Sequence, residues 1–245
     1  MSTTLPPPPP LTARATLRWA VVGPIVESLA PASVLELGCG QGAAGARLAR
    51  LSRYTGVEPD EQSCAVARAR IEPLGGTVVH GDHTALPADA RYDLVCAFEV
   101  LEHLEDDAGM LRAWLAPAAP AAHLVVSVPA WPDRFGPSDD LVGHYRRYTP
   151  ASLTALLEGA GCTDVRTRLY GWPLGYLLEA VSNRVAARRL AAAPRSAEER
   201  SATSGRFLQP ARSATALRVG TAPFRLLQGA VPGRGIGLVA VARIP

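Results

Sequence analysis

The stretch from Val34 to Gly42 reads V-L-E-L-G-C-G-Q-G, an apolar run carrying one acid, Glu36, and closing on three alternating glycines. Gly38, Gly40 and Gly42, with Cys39 and Gln41 between them, make a turn nearly free of side chains. Backbone amides and the next helix's N-terminus can then approach a ligand closely, as a nucleotide-like cofactor requires. Two imidazoles stand in polar strings further on: His103 in E-V-L-E-H-L, from Glu99 to Leu104, and His144 in H-Y-R-R-Y-T-P, from His144 to Pro150. Imidazole titrates near neutral pH, and a positioned one contributes about 10²–10⁴-fold as a general base. His103 and His144 are the candidate catalytic residues.

The glycines can be parsed in two registers. Gly40 to Gly45 is literally G-x-G-x-x-G, the dinucleotide fingerprint, and Glu58 follows about 20 residues on, as that pattern expects. Glu36 argues for the other register. A carboxylate at the strand end repels a pyrophosphate and attracts an ammonium or sulfonium. S-adenosylmethionine carries both cations and no phosphate, and the register E-x-G-x-G-x-G resembles motif I of the class I S-adenosylmethionine-dependent methyltransferases.

The resemblance extends over about the first 165 residues. Glu58-Pro59 looks like the end of the family's second strand, whose acid takes the ribose hydroxyls. Asp82-His83 looks like the loop in which an aspartate recognises the adenine amino group. Phe98, Glu99 and Val100 open the segment after strand four, which resembles that of the ubiquinone-biosynthesis O-methyltransferases. The string from His144 to Pro150 is similar to the H-x-R-x-(F/Y)-(S/T)-P segment before the family's last large helix. The resemblance implies a cofactor site at Glu36, Gly38, Cys39, Gly40, Gln41, Gly42, Glu58, Pro59, Asp82, His83, Phe98, Glu99 and Val100.

Hydrophobic patterning supplies the elements that must hold these residues. Apolar runs at 34–37, 54–57, 77–80, 92–98 and 123–128 read as strands, and helical spacing recurs at 12–29, 42–51, 60–71 and 106–115. Alternation of this kind gives an α/β, doubly wound, mostly parallel sheet. Thr149 caps a helix opened by Pro150, with Leu153, Leu156, Leu157 and Ala160 at core spacing. Strand six follows at 163–170. Residues 235–244 alternate into a seventh strand, which the family inserts antiparallel, completing a Rossmann-like sheet. Residues 171–234 are extra: Leu174, Leu177, Leu178, Val181 and Val185, then Leu217, Phe224, Leu227 and Val231, predict a helical insertion around a polar linker at 191–205.

The chain has 245 residues, 48% of them hydrophobic, enough for one catalytic domain over 12–245. Residues 1–11 are expected to be a disordered, proline-rich tail, with Pro6 to Pro10 extended and solvated. Arg14 and Arg18 before Trp19–Val26 mimic a leader, but Pro24 and Glu27 interrupt the apolar run, and it reads as the domain's first helix. Cys39, Cys64, Cys96 and Cys162 form no C-x-x-C pair and read as reduced thiols of a cytoplasmic protein. A net charge of +3 does not argue for nucleic acid. Between Arg166 and Ala230 only Glu179, Glu198 and Glu199 oppose the arginines. Peripheral contact of 171–230 with an anionic membrane is one reading, and a helical pair packed on the domain with solvated arginines is the other. Oligomeric state is open.

The cofactor the resemblance implies brings its own electrophile, so the protein need only orient an acceptor, exclude water and remove a proton. Orientation alone is worth roughly 7–11 kcal/mol. No metal is required. Trp131 and Phe135 are candidate walls for a small hydrophobic or lipid-like acceptor, with Tyr145, Arg146 and Tyr148 as further substrate contacts. Methyl transfer to oxygen is the expected reaction. A nicotinamide-dependent oxidoreductase and a non-catalytic S-adenosylmethionine-binding protein are the alternatives.

Overall fold

The structure, a computed structural model, describes residues 7–192, 214–228, 230, 231 and 233–245, with side chains of 214–218 excepted. Helix α1, Ala13–Leu29, starts where the Thr12 hydroxyl accepts the Ala15 N–H at 3.2 Å, and stops at Ala30 in a left-handed conformation. Strand β1, Ser33–Leu37, is buried along its whole length, which is why it reads as a near-continuous apolar run. Then come α2 (Gly45–Leu48), β2 (Arg53–Glu58), α3 (Glu61–Ile71), β3 (Thr77–His80), β4 (Tyr92–Phe98), α4 (Asp107–Leu115) and β5 (Ala118–Pro129). After β5 the chain forms α5 (Pro137–Val142), α6 (Pro150–Gly159), β6 (Thr163–Tyr170), α7 (Leu174–Ala192), α8 (Ala214–Leu227) and β7 (Gly237–Arg243).

The seven strands lie in the order β3-β2-β1-β4-β5-β7-β6. Strands β1 to β5 pair parallel, and β7 enters antiparallel between β5 and β6. One core cluster packs Leu35, Val95, Leu124, Leu153 and Leu157 on one face; the other packs Leu17, Val26, Val34, Leu94 and Ile71 on the opposite face. The sheet therefore has helices on both sides, and the carboxyl ends of its parallel strands open into one crevice, the place where such sheets hold ligands.

Two expectations need amendment. The proline-rich segment is not simply solvated where it is described: Leu11 is buried, Arg47 donates to the Pro9 carbonyl at 2.9 Å, and Pro10 reaches the crevice. The helix expected at 42–51 is only one turn, because Gly42, at φ +74°, and the residues after it are spent on closing the glycine turn. The polar linker at 191–205 lies almost wholly outside the described residues, as do residues 1–6. Among the described residues no helix is long and apolar enough to cross a membrane.

Candidate active site

Glu36 is the penultimate residue of β1, opposite Gly56 of β2 and Cys96 of β4, and is almost completely buried. Its Oε2 accepts the Tyr54 hydroxyl at 2.6 Å. Room for that hydroxyl exists because Gly45 and Gly56 have no Cβ to meet it. Burial pushes the Glu36 carboxyl from 4.5 up to about 7, against the pull of Tyr54 and Arg18. Tyr54 and Arg18 offset only part of the cost of burying a carboxylate there, so its use lies with what it faces.

The glycine turn is latched from the next strand. Glu58, at the end of β2, accepts the Gly40 N–H at 2.7 Å and the Asp60 N–H at 3.0 Å. Gly38 and Gly40 have φ of +67° and +54°, a region that side-chain-bearing residues rarely adopt. A Cβ on Gly38 would stand 2.8 Å from Val100, whereas one on Gly40 would meet nothing within 4 Å. The turn is thus packed on one side and open on the other.

That open side faces a cavity of about 730 Å³. Glu36, Gly38, Cys39, Gly40, Gln41, Glu58, Pro59, Phe98, Glu99, Val100, His103 and His144 all line it, bringing together most of the cofactor set and both candidate bases. Gly42 stands behind the wall, where a Cβ would collide with Ile71. Asp82 and His83 lie outside the wall. Asp82 accepts the Thr84 N–H and hydroxyl at 2.8 and 2.6 Å, and His83 borders a separate shallow depression.

The five residues expected to contact the acceptor are also outside the wall. Trp131 donates from Nε1 to the Gly235 carbonyl at 2.9 Å and packs against the core, Arg146 pairs with Asp107 at 2.8 Å, and the Tyr148 hydroxyl donates to the same carboxylate at 2.7 Å. Phe135 and Tyr145 are exposed. In their place α5 contributes Leu141 and Val142, and α7 contributes Val181, Val185 and Ala186.

Helix α1 adds two cations that sequence reading placed in a leader-like string. Arg18 stands 3.5 Å from the Glu99 carboxylate and 5.7 Å from the Phe98 ring centre, and Arg14 Nη2 is buried with no hydrogen-bond partner among the described residues. Both line the cavity. Their signal in the sequence was spacing alone, i and i+4 on one helix face. Glu99 itself has φ +61° and accepts from Ser127 Oγ and the Tyr170 hydroxyl at 3.0 and 3.1 Å. A non-glycine residue held in that region at a cavity wall is strained in the way functional sites often are.

The histidines meet at the other end. Their ring centres are 4.6 Å apart, edge to face. His144 Nδ1 lies 2.8 Å from Asp139 Oδ1. A carboxylate at that distance holds the proton on Nδ1 and leaves Nε2 as the lone-pair nitrogen. Burial, together with neighbouring His144, lowers His103 to about 3, so its ring is neutral across the physiological range. Glu102 is fully buried beneath the pair. Its carboxyl oxygens have no hydrogen-bond partner among the described residues, its Oε1 is 3.8 Å from His144 Nε2, and burial beside Glu99 pushes it well above the carboxylate range. One donor atom each from Glu102, His103 and His144 lies within 4.8 Å of the others, close enough for a cation.

The donor set suits S-adenosylmethionine: a buried acid for its cations, an unpartnered guanidinium for its carboxylate, a side-chain-free turn and an acid latched beneath that turn. The profile of a family described as a methyltransferase domain matches residues 15–167. A ubiquinone biosynthesis O-methyltransferase of Methylobacterium sp. (strain 4-46) is 38% identical over 98 residues, covering 38% of this chain and 39% of that protein. A probable S-adenosylmethionine-dependent methyltransferase of Mycolicibacterium smegmatis is 36% identical over 134 residues, 52% of this chain and 51% of that protein. The matches thus span 39% and 51% of those relatives' length. The solved structure of a SAM-dependent methyltransferase from Archaeoglobus fulgidus shares the fold, with a TM-score of 0.58 at 17% identity over 95% of each chain. The glycine turn with Glu36 ahead of it, the sheet order and the matching profile agree, and the chain belongs to the class I S-adenosylmethionine-dependent methyltransferases.

Proposed function

We propose that the protein methylates an oxygen of a small hydrophobic or lipid-like acceptor, with His144 removing the acceptor's proton. The observation carrying this reading is the Asp139–His144 pair at 2.8 Å in the same cavity as the glycine turn. When bound, S-adenosylmethionine supplies a methyl group already activated on a sulfonium. Glu36, Arg14 and Arg18 answer its ammonium and carboxylate, and Glu58 its ribose. Asp82 remains the candidate for its adenine amino group. Asp139 fixes the His144 tautomer so that Nε2 accepts a proton, and His103 stays neutral and braces the ring. Leu141 and Val142 exclude water from the acceptor end.

Oxygen as the acceptor atom rests on this proton-removing pair and on similarity to the Methylobacterium O-methyltransferase. The lipid-like character rests on α7. Its Leu177, Val181 and Val185 are 63%, 55% and 43% exposed, beside exposed Arg184 and Arg188, and its one acid, Glu179, is buried. Such a face suits peripheral contact with anionic lipid.

Calorimetry with S-adenosylhomocysteine and with NAD(P), followed by transfer of labelled methyl to a panel of phenols and lipid-linked hydroxyls, tests the reading. Micromolar homocysteine-adduct binding, silence towards NAD(P) and loss of transfer in His144→Ala are expected. Full transfer by His144→Ala would remove His144 as the base.

A further inference from the structure

Behind the proposed base runs a buried chain of alternating charges that ends on a helix far away in sequence. Asp139 receives His144 on Oδ1, Arg147 Nε on Oδ1 at 2.9 Å, Arg147 Nη2 on Oδ2 at 2.6 Å and the Gly136 N–H on Oδ2 at 2.9 Å. Arg147 then donates from Nη1 to Glu179 Oε1 at 2.6 Å and to the Ala130 carbonyl at 3.3 Å. The other oxygen of Glu179 is held by Arg134, whose Nε donates to Oε2 at 2.9 Å and whose guanidinium lies 4.5 Å from the Tyr176 ring centre. Asp139, Arg147 and Glu179 are all buried.

A chain of this kind is costly to assemble unless each member is paired on both sides. Its fork geometry is directional: Arg147 meets Asp139 through two parallel N–H bonds, so the carboxylate's plane follows the guanidinium's. The guanidinium's remaining arm is fixed by Glu179. Tyr176, Glu179 and Asn183 lie at i, i+3 and i+7 on one face of α7, and Asn183 Oδ1 accepts the Ser138 N–H at 3.0 Å, clamping the start of α5 as well. The neighbouring positions Val181, Val185 and Ala186 form the cavity wall. One helix thus both shapes the acceptor space and sets the orientation of the base.

We infer that Glu179 of α7, acting through Arg147 and Asp139, is a positioning residue for His144. The inference rests on His144 being the base. The charged or titratable groups facing His144 are Glu102 and His103 from the turn after β4, Asp139 from α5 and Arg147 on its own loop, with Glu179 and Arg134 behind them. Removing the Glu179 charge leaves Arg147 drawn wholly towards Asp139, which weakens the carboxylate's hold on the imidazole and makes the surroundings more positive. Both effects loosen the hold on the Nδ1 proton and let the ring leave its Nδ1-protonated tautomer. Removing the outer cation does the reverse.

The test is ¹⁵N NMR of the histidine rings, recorded on full-length protein saturated with S-adenosylhomocysteine, in wild type, Glu179→Gln, Glu179→Asp and Arg134→Gln. The wild-type His144 ring should show mainly the Nδ1-protonated tautomer. Glu179→Gln should shift the tautomer ratio about threefold towards the Nε2-protonated form; Glu179→Asp should lie between the two, and Arg134→Gln should shift the ratio the other way. If Glu179→Gln does not fold, the opposite shift in Arg134→Gln carries the test, since loss of packing alone gives no opposite sign. An unchanged His144 tautomer ratio in the folded variants overturns the inference. Retained methyl transfer by His144→Ala overturns the base assignment itself, and the positioning role with it.

Discussion

Replacing Glu36 by glutamine should strengthen the fold and weaken the cofactor site. The carboxyl is held from an ordinary 4.5 up to about 7 by burial. At about 1.36 kcal/mol per pH unit, that difference is worth roughly 3 kcal/mol. The sign follows from which state protonates more easily. The native carboxyl is still protonated where the unfolded one has ionised, so its contribution is intact below pH 4.5 and is lost as pH rises through about 7. Glutamine cannot ionise, and its carbonyl can still accept the Tyr54 hydroxyl while its amide faces the hydrated cavity. Urea unfolding of Glu36→Gln should therefore match wild type near pH 4.5 and exceed it by roughly 3 kcal/mol at pH 8, a gain of about 6–12 °C in Tm for a domain of this size. Calorimetry at pH 8 should show S-adenosylhomocysteine bound about 10–150-fold more weakly, the loss of one charge-assisted hydrogen bond of about 1.5–3 kcal/mol. Wild-type affinity should itself fall about tenfold per pH unit below about 7, because the carboxyl must ionise to meet an ammonium. A pH-independent difference in stability, or unchanged affinity in the variant, would refute the placement of Glu36 as the cation's partner.

Other perturbations separate roles inside the cavity. His103 is depressed to about 3, so the acid limb of kcat/KM should stay put in His103→Gln, and a limb that moves would make His103 the titrating base. Tyr148→Phe should cost about 1–2 kcal/mol in chemical denaturation, since it takes a donor from buried Asp107, yet leave acceptor KM unchanged; a raised KM would return Tyr148 to the acceptor site. Gly38→Ala forces a Cβ to 2.8 Å from Val100 at φ +67°, so it should fold less stably and bind S-adenosylhomocysteine at least about tenfold more weakly, and wild-type affinity would contradict the account of the turn. With His144 as base, transfer should survive chelation by EDTA. Loss restored by a divalent cation would instead assign Glu102, His103 and His144 to a metal.

The strands and the glycine turn were legible because each depends on a few neighbouring residues: β3, β4 and β6 fall at the residues their patterning predicts, and Glu36, Glu58 and the turn meet in one cavity. What could not be read depends on partners far along the chain. Arg18 pairs with Glu99, and Arg147 joins nearby Asp139 to Glu179, on a helix 32 residues away. Aromatic residues near the histidines in sequence invited an acceptor role, but Trp131 and Tyr148 spend their polar atoms on Gly235 and Asp107. Periodicity found α7 without revealing what its faces do: Glu179 and Asn183 bond to α5 and its flanking loop, with Glu179 also on the cavity wall, while Val181 and Val185 stand at the cavity's exposed rim.

Strand β7 has a consequence for how the protein is made. It lies between β5 and β6 although it is synthesised after both, and Ile236 just before it accepts the Ala130 N–H and borders the cavity. A ribosome-bound chain that has emerged through β6 therefore carries an unpaired edge on β5, a β6 segment with no strand partner, and an incomplete cavity. Such edges pair readily with other chains. Until residues 237–243 have emerged and paired with both neighbours, those edges leave the nascent domain open to aggregation.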